Sequence, residues 1–300
     1  MLFPEARHAV QAAAGALPVH DPAFDIDAAR AEDRRVAGAD PREEVVEVRD
    51  VDADGVPCRF YRPEGAQPGV IVHLHGGGFV LNDVEVHDAP ARRLANRTRT
   101  AVLSVDYRRP PEHRFPAAPD DVDTVLAWWA RQGSTLGPDG PICAHGDSAG
   151  ANLALVAALR HPGLFDAVVL IYPFLDPSAG FDSYLSAAEG FDPRDAAWYW
   201  AQYAGSPADL TDPDLAPLLS HHLATLPPTL VVTAEHDPLR DEGEHLAVLL
   251  AEHGVDVVAT RYLGQIHGFW RHDRVFPAAG QLMLQVAGFL DGVRSRRSGA

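Results

Sequence analysis

Two short stretches of the chain combine residue types that acyl-transfer chemistry needs. Gly146-Asp147-Ser148-Ala149-Gly150 is a G-x-S-x-G pattern set between the strand-like run Ile142–Ala144 and a helix-like run that opens at Ala149. Glycines at both ends permit a sharp strand-to-helix turn, which lifts a serine hydroxyl above a sheet at a helix N-terminus. A plain Gly-rich turn is the competing reading, and the flanking strand and helix favour a nucleophile. His75-Gly76-Gly77-Gly78-Phe79 directly follows the run Val70–Leu74. Three consecutive glycines let backbone N–H groups face a cavity with no Cβ in the way, as stabilisation of a tetrahedral oxyanion requires. A phosphate cradle would want Lys-Ser/Thr after the glycines, and none follows.

A serine nucleophile needs a base, and the base needs an orienting acid. After a strand-to-helix elbow the chain order is Ser, acid, His. Of the histidines beyond Ser148, His267 stands out, in the loop Gly264-Gln265-Ile266-His267-Gly268-Phe269 after the last strand-like run. His245 and His253 fall on a helical pattern that favours solvated side chains, and His221-His222 reads as a surface pair. Asp237, at the end of the run Leu230–Thr233, is the preferred acid. Glu242 is the alternative, although Asp241 and Glu242 open a helix, where carboxylates are common for dipole reasons alone. Asp147 and Glu112 read as structural carboxylates. His73 and His75 share a strand face at i, i+2 but lack an evident third ligand, so neither a metal nor any other cofactor is expected.

The elements that would hold these residues alternate along the chain. Strand-like runs begin at Val45–Val48 and Cys58–Tyr61 around an Asp54-Gly55 turn. They continue at 70–74, 101–105, 142–144, 167–171, 230–233 and 255–263, with helical patterns at about 88–97, 118–132, 149–160, 240–253 and 278–294. The middle runs are continuously apolar, as strands buried on both faces of a parallel sheet must be. Alternating βα units predict a mostly parallel sheet flanked by helices, in a single α/β domain over residues 1–300. Residues 1–42 and 175–215 interrupt the pattern, the second with an aromatic cluster that includes Trp198. Two surface helices would account for them; a helical cap over the carboxyl ends of the strands accounts for the aromatics as well.

Composition narrows the function classes. The 300 residues carry 42 acidic against 25 basic side chains, net charge −17, and every cation apart from histidine is arginine. That balance repels phosphate backbones and anionic membrane surfaces. Two isolated cysteines, Cys58 and Cys143, form no framework. No apolar stretch reaches the ~20 residues that span a bilayer, and the first residues lack the pattern of a signal peptide. A cytoplasmic setting is expected.

Together these motifs resemble the bacterial hormone-sensitive-lipase-like family of α/β-hydrolases, in its G-D-S-A-G branch. The resemblance runs through nearly all of residues 45–295. It includes Asp106-Tyr107-Arg108, Pro111-Glu112-His113-Arg114-Phe115-Pro116-Ala117-Ala118, Ala216-Pro217-Leu218, Leu226-Pro227-Pro228-Thr229 and Asp237-Pro238-Leu239-Arg240-Asp241-Glu242-Gly243. It implies an α/β-hydrolase fold with a mostly parallel eight-stranded sheet and a helical cap. It also implies serine carboxylesterase activity on short-chain acyl esters through an acyl-enzyme, without a cofactor. The nucleophile falls on Ser148, the acid on Asp237, the base on His267, and the oxyanion donors on the backbone of Gly77, Gly78 and Ala149. Phe79, Asn82, Trp198 and Phe269 are candidates for the substrate pocket. The chain departs from the family at Arg109-Pro110, where Leu-Ala is usual, at Asn82, where glycine is common, and at His236, where Tyr is frequent. A deacetylase or amidase is the nearest alternative, then a triacylglycerol lipase or a non-catalytic small-molecule-binding protein. Homodimers occur in the family, though no residue pattern here calls for one.

Overall fold

The computed structural model describes residues 1–137 and 139–298, the side chains of 297 and 298 excepted. The strand-like runs form β1 (Glu47–Ala53), β2 (Val56–Arg62), β3 (Gln67–Leu74), β4 (Thr100–Val105), β5 (Ile142–Asp147), β6 (Ala167–Ile171), β7 (Thr229–His236) and β8 (Val257–Ile266). They join one sheet in the order β1-β2-β4-β3-β5-β6-β7-β8. The β1–β2 and β2–β4 pairs are antiparallel and the remaining pairs are parallel. Asp54 and Gly55 both take positive φ, 54° and 94°, as a two-residue hairpin turn between β1 and β2 requires. β4 and β6 are buried at every residue, which accounts for their almost wholly apolar composition.

Helices cover both faces. α3 (Asp88–Thr98) and α9 (Pro277–Ser298) pack on one; α4 (Ala117–Gln132), α5 (Ala149–Arg160) and α8 (Arg240–Glu252) pack on the other. Residues Ala149–Leu159 of α5 are all buried, which explains a helix built mainly of Ala, Leu and Val with no polar stripe. The chain runs from β3 to β4 on one side and later returns to β5 on the other, so β3 and β5 are neighbours at a switch point. The crevice outside their carboxyl ends is where open α/β sheets bind ligands.

The two interrupting segments meet each other. Residues 175–215 hold α6 (Ser183–Ser186) and α7 (Pro193–Tyr203), the latter opened by Asp192 accepting from the Arg194 N–H with Pro193 in the first turn. The N-terminal segment holds α1 (Pro4–Ala13) and α2 (Ile26–Ala37), whose cap Asp25 accepts from the Ala28 N–H. His20 Nδ1 lies 2.6 Å from Asp195 Oδ1, and Phe24 packs edge-on against Trp198 at 5.8 Å. α1 instead follows the sheet edge: Phe3 N–H donates to Gly264 O (3.0 Å) and Gln265 Nε2 to Glu5 Oε1 (3.0 Å).

Candidate active site

β5 runs straight into the elbow. Ser148 takes φ 56°, ψ −122°, and α5 starts at the next residue. The turn is closed by glycine on its far side: a Cβ on Gly150 would lie 2.0 Å from the Leu74 carbonyl oxygen. Close packing of α5 onto the end of β3 therefore requires hydrogen at that position. β5 extends through His145-Gly146-Asp147, beyond the apolar run read from the sequence. Those residues satisfy their backbone against β6, where Asp147 pairs with Ile171.

His267 Nε2 lies 3.0 Å from Ser148 Oγ, and His267 Nδ1 lies 2.7 Å from Asp237 Oδ2. Asp237 is fully buried, and its other oxygen accepts from the Leu239 N–H at 2.9 Å, which fixes the carboxylate plane. The imidazole sits between Tyr172 (4.5 Å between centroids) and Phe191 (4.9 Å). Glu242, the alternative acid, is engaged elsewhere. Its oxygens accept from Leu175 N–H, Asp176 N–H and Tyr184 OH, and burial pushes its carboxyl well above the usual range.

The glycine loop after β3 lies beside this chain of atoms because β3 and β5 are adjacent. Asp147 ties the two turns together by accepting from the Gly76 N–H at 3.0 Å; burial raises its carboxyl above the ordinary range. Gly77 and Gly78 take φ 124° and 59°, and Gly78 is pressed against the Tyr199 ring, 2.1 Å from where a Cβ would be. Among the described residues the N–H groups of Gly77, Gly78 and Ala149 donate to no protein acceptor. Asn82, at φ 62°, adopts the left-handed conformation that glycine favours. Its Nδ2 donates to Gly76 O at 3.0 Å, and its carbonyl accepts from Arg109. Two departures from the family pattern thus touch each other.

Ser148, His267, Gly77, Gly78 and Asn82 line one cavity of ≈ 250 Å³. Three expected pocket residues lie off it. Phe79 is fully buried, stacked on Tyr203 at 3.7 Å, because its positive φ (65°) turns the ring into the core. Phe269 is fully buried against Tyr262 and Tyr172. Trp198 packs against Phe24 of the N-terminal segment instead. The aromatics that do face the cavity are Phe174, Phe191, Tyr199 and Tyr172, and the charged groups are Asp33 and Arg271 beside buried Asp147. Helix α7 is amphipathic, but only its docking decides which of Trp198, Tyr199 and Trp200 points inward.

A buried histidine cluster below the elbow also escaped the sequence reading. His73 and His145 are register partners on β3 and β5, their Nδ1 atoms 3.0 Å apart, and His73 Nε2 lies 3.2 Å from His87 Nδ1. Burial holds His73 down to about 3 and His87 and His145 well below the usual histidine range, so each carries one ring proton at neutral pH. Arg271 Nη1, a donor only, approaches His87 Nε2 at 3.4 Å. That places the His87 proton on Nδ1, facing His73 Nε2, and then the His73 proton on Nδ1, facing His145. The donor atoms of His73, His87 and Asp147 lie within 4.8 Å of one another. A cation on His87 Nδ1 would drive that ring's proton to Nε2, against the arginine, so the group suits a hydrogen-bond chain better than a metal. His75 is occupied separately, stacked on Tyr107 at 4.2 Å.

The family model described as alpha/beta hydrolase fold matches residues 71–271, which hold the glycine loop, Ser148, Asp237 and His267. The chain belongs to this family. It is 39% identical to the carboxylic ester hydrolase LipN of Mycobacterium tuberculosis, over 82% of this chain and 70% of the relative. It is 33% identical to an ethyl acetate hydrolase of Pseudomonas putida, over 78% of each. The solved esterase of Pyrobaculum calidifontis superposes with TM-score 0.88 at 36% identity, over 99% of both chains. The protein is a serine carboxylesterase of the hormone-sensitive-lipase-like kind. Among the described residues no helix is long and apolar enough to cross a membrane.

Proposed function

We propose that Ser148, His267 and Asp237 hydrolyse short-chain acyl esters through an acyl-enzyme, with N–H groups of Gly77, Gly78 and Ala149 as oxyanion donors. The observation that carries this reading is the unbroken contact from Asp237 Oδ2 through His267 to Ser148 Oγ, at 2.7 and 3.0 Å, opening on a small cavity. Ser148 Oγ attacks the ester carbonyl as its proton passes to His267 Nε2. The negative charge on the tetrahedral oxygen is met by backbone N–H groups already in place, each worth about 10²–10³ in turnover. The carbon–alkoxy bond then breaks, and His267 returns its proton to the departing alcohol. Water repeats the sequence: its proton goes to His267, its oxygen bonds the acyl carbon, and the acid leaves as Ser148 recovers its hydrogen. Asp237 accepts from His267 Nδ1–H throughout, holding the tautomer and offsetting the imidazolium charge.

The ≈ 250 Å³ cavity, lined by Phe174, Phe191 and Tyr199, supports short acyl groups over long ones. Hydrolysis of p-nitrophenyl esters from acetate to palmitate tests this. The rate is expected to peak at short chains in the wild type and to vanish in Ser148→Ala; a maximum at palmitate would overturn the chain-length reading. Residues 1–42 and 175–215 are proposed as the cap, supported by the His20–Asp195 and Phe24–Trp198 contacts. A cytoplasmic location is supported by two buried free thiols, Cys58 and Cys143. Homodimerisation is supported by the exposed Val258 and Leu263 on the edge strand β8.

A further inference from the structure

Asp33 and Arg271 line the same cavity as Ser148 and His267. Asp33 comes from α2 and Arg271 from the turn just past His267. The setting of α2 is fixed around Asp33. Arg30, three residues earlier, donates to Val80 O (3.0 Å) and Pro110 O (2.7 Å) and pairs with Glu112, while the adjacent Arg34 pairs with Asp83. Residues three apart share a helix face, so the clamp that docks Arg30 also holds Asp33 toward the cleft. Among the described residues Asp33 makes no side-chain hydrogen bond or ion pair, and the Arg271 guanidinium makes one hydrogen-bond contact, with His87 Nε2 at 3.4 Å, while its charge also acts on buried Asp147. Burial lifts the Asp33 carboxyl above its ordinary range and the Arg271 charge opposes that rise, so the two charges sense each other.

An alkyl group placed against Asp33 and Arg271, away from the aromatic walls, would strip water from an acceptor-only and a donor-only group and satisfy neither. A hydroxyl satisfies both, since it donates to a carboxylate and accepts from a guanidinium. The pair sums to zero charge, so a purely anionic or cationic substrate gains from one member and is repelled by the other. We infer that the cavity selects esters of small hydroxylated alcohols, polyol or sugar acetates, with Asp33 accepting from and Arg271 donating to their free hydroxyls. The inference rests on the ester-hydrolase reading of Ser148.

The test compares kcat/KM for 2,3-dihydroxypropyl acetate and for propyl acetate by pH-stat titration, with p-nitrophenyl acetate as the control for esterase activity. The wild-type ratio is expected to favour the diol by about tenfold or more, because a site built for hydroxyls discriminates strongly against analogues without them. In Asp33→Leu and in Arg271→Met that ratio should fall toward one. A ratio within one preparation is independent of the fraction folded, so a damaged variant still reports. A wild-type ratio near one with p-nitrophenyl acetate turned over would overturn the polyol inference and leave the esterase reading intact. So would a ratio unchanged in both variants, or a preference for acetylcholine or monoethyl succinate over the diol. Failure to turn over p-nitrophenyl acetate would overturn the esterase reading itself.

Discussion

Ser148 holds a backbone conformation, φ 56° and ψ −122°, that costs a residue with a Cβ on the order of 1–3 kcal/mol. Ser148→Gly should relieve it: a higher melting temperature than Ser148→Ala, with no hydrolysis in either, is the expected outcome of a thermal-melt comparison. Asp237 and Glu242 can be separated at the same scale. Asp237→Asn presents an amide to His267 Nδ1 and should cost about 10⁴ in kcat with little change in melting temperature. Glu242→Gln faces three donors with an NH₂ and should lower the melting temperature while kcat stays within about tenfold. That Ser148, Asp237 and His267 come into contact was legible in the sequence, because an elbow of this kind sets an expected chain order and Asp237 and His267 each follow a strand-like run. Of the expected pocket residues only Asn82 lines the cavity; Phe79, Trp198 and Phe269 do not, since a side chain's type says nothing of the φ that turned Phe79 inward.

Strand adjacency, at the scale of elements, brings the glycine loop to the elbow, and Gly150 is the position that permits it. Gly150→Ala would set a methyl 2.0 Å from the Leu74 carbonyl. The expected result is a loss of at least 1–3 kcal/mol, as for overpacked cores, together with a fall in kcat as the loop shifts; urea unfolding and steady-state kinetics read both. The inner strands were visible as apolar runs, although β5 continued three residues past its apolar stretch; at the edge, β1 (Glu47–Ala53) overlaps the run read at Val45–Val48 by only two residues, because its exposed, charged side chains leave no apolar signal. Invisible was the sheet order that sets His73 opposite His145. That juxtaposition has a consequence in acid. His73 and His75 are held down to about 3 by burial, and His87 and His145 are lowered too. The unfolded chain takes up protons near pH ~6.5 that the folded chain refuses. Stability should therefore fall as pH drops from there toward 3, by up to about 1.4 kcal/mol per histidine per pH unit. Urea titrations at pH 7, 6 and 5 should show the loss; a flat unfolding free energy would contradict buried neutral histidines.

For the whole molecule, the N-terminal segment is held by contacts far apart in sequence, such as His20 with Asp195 and Arg30 with Val80 and Pro110. An amphipathic helix before the first strand could be read from the chain, but its docking partner could not, because nothing in periodicity links residues 175 apart. Arg30→Ala should free α2, seen as faster proteolysis between residues 14 and 45 and a KM raised several-fold. Hydrolysis itself stands or falls on Ser148. The most direct measurement is intact-protein and peptide mass spectrometry after titration with a p-nitrophenyl phosphonate. One phosphonyl group on Ser148, with loss of esterase activity in equal proportion and no label on Ser148→Ala, is the expected result. Activity that survives full labelling of Ser148, or disappears while Ser148 stays unmodified, would contradict it.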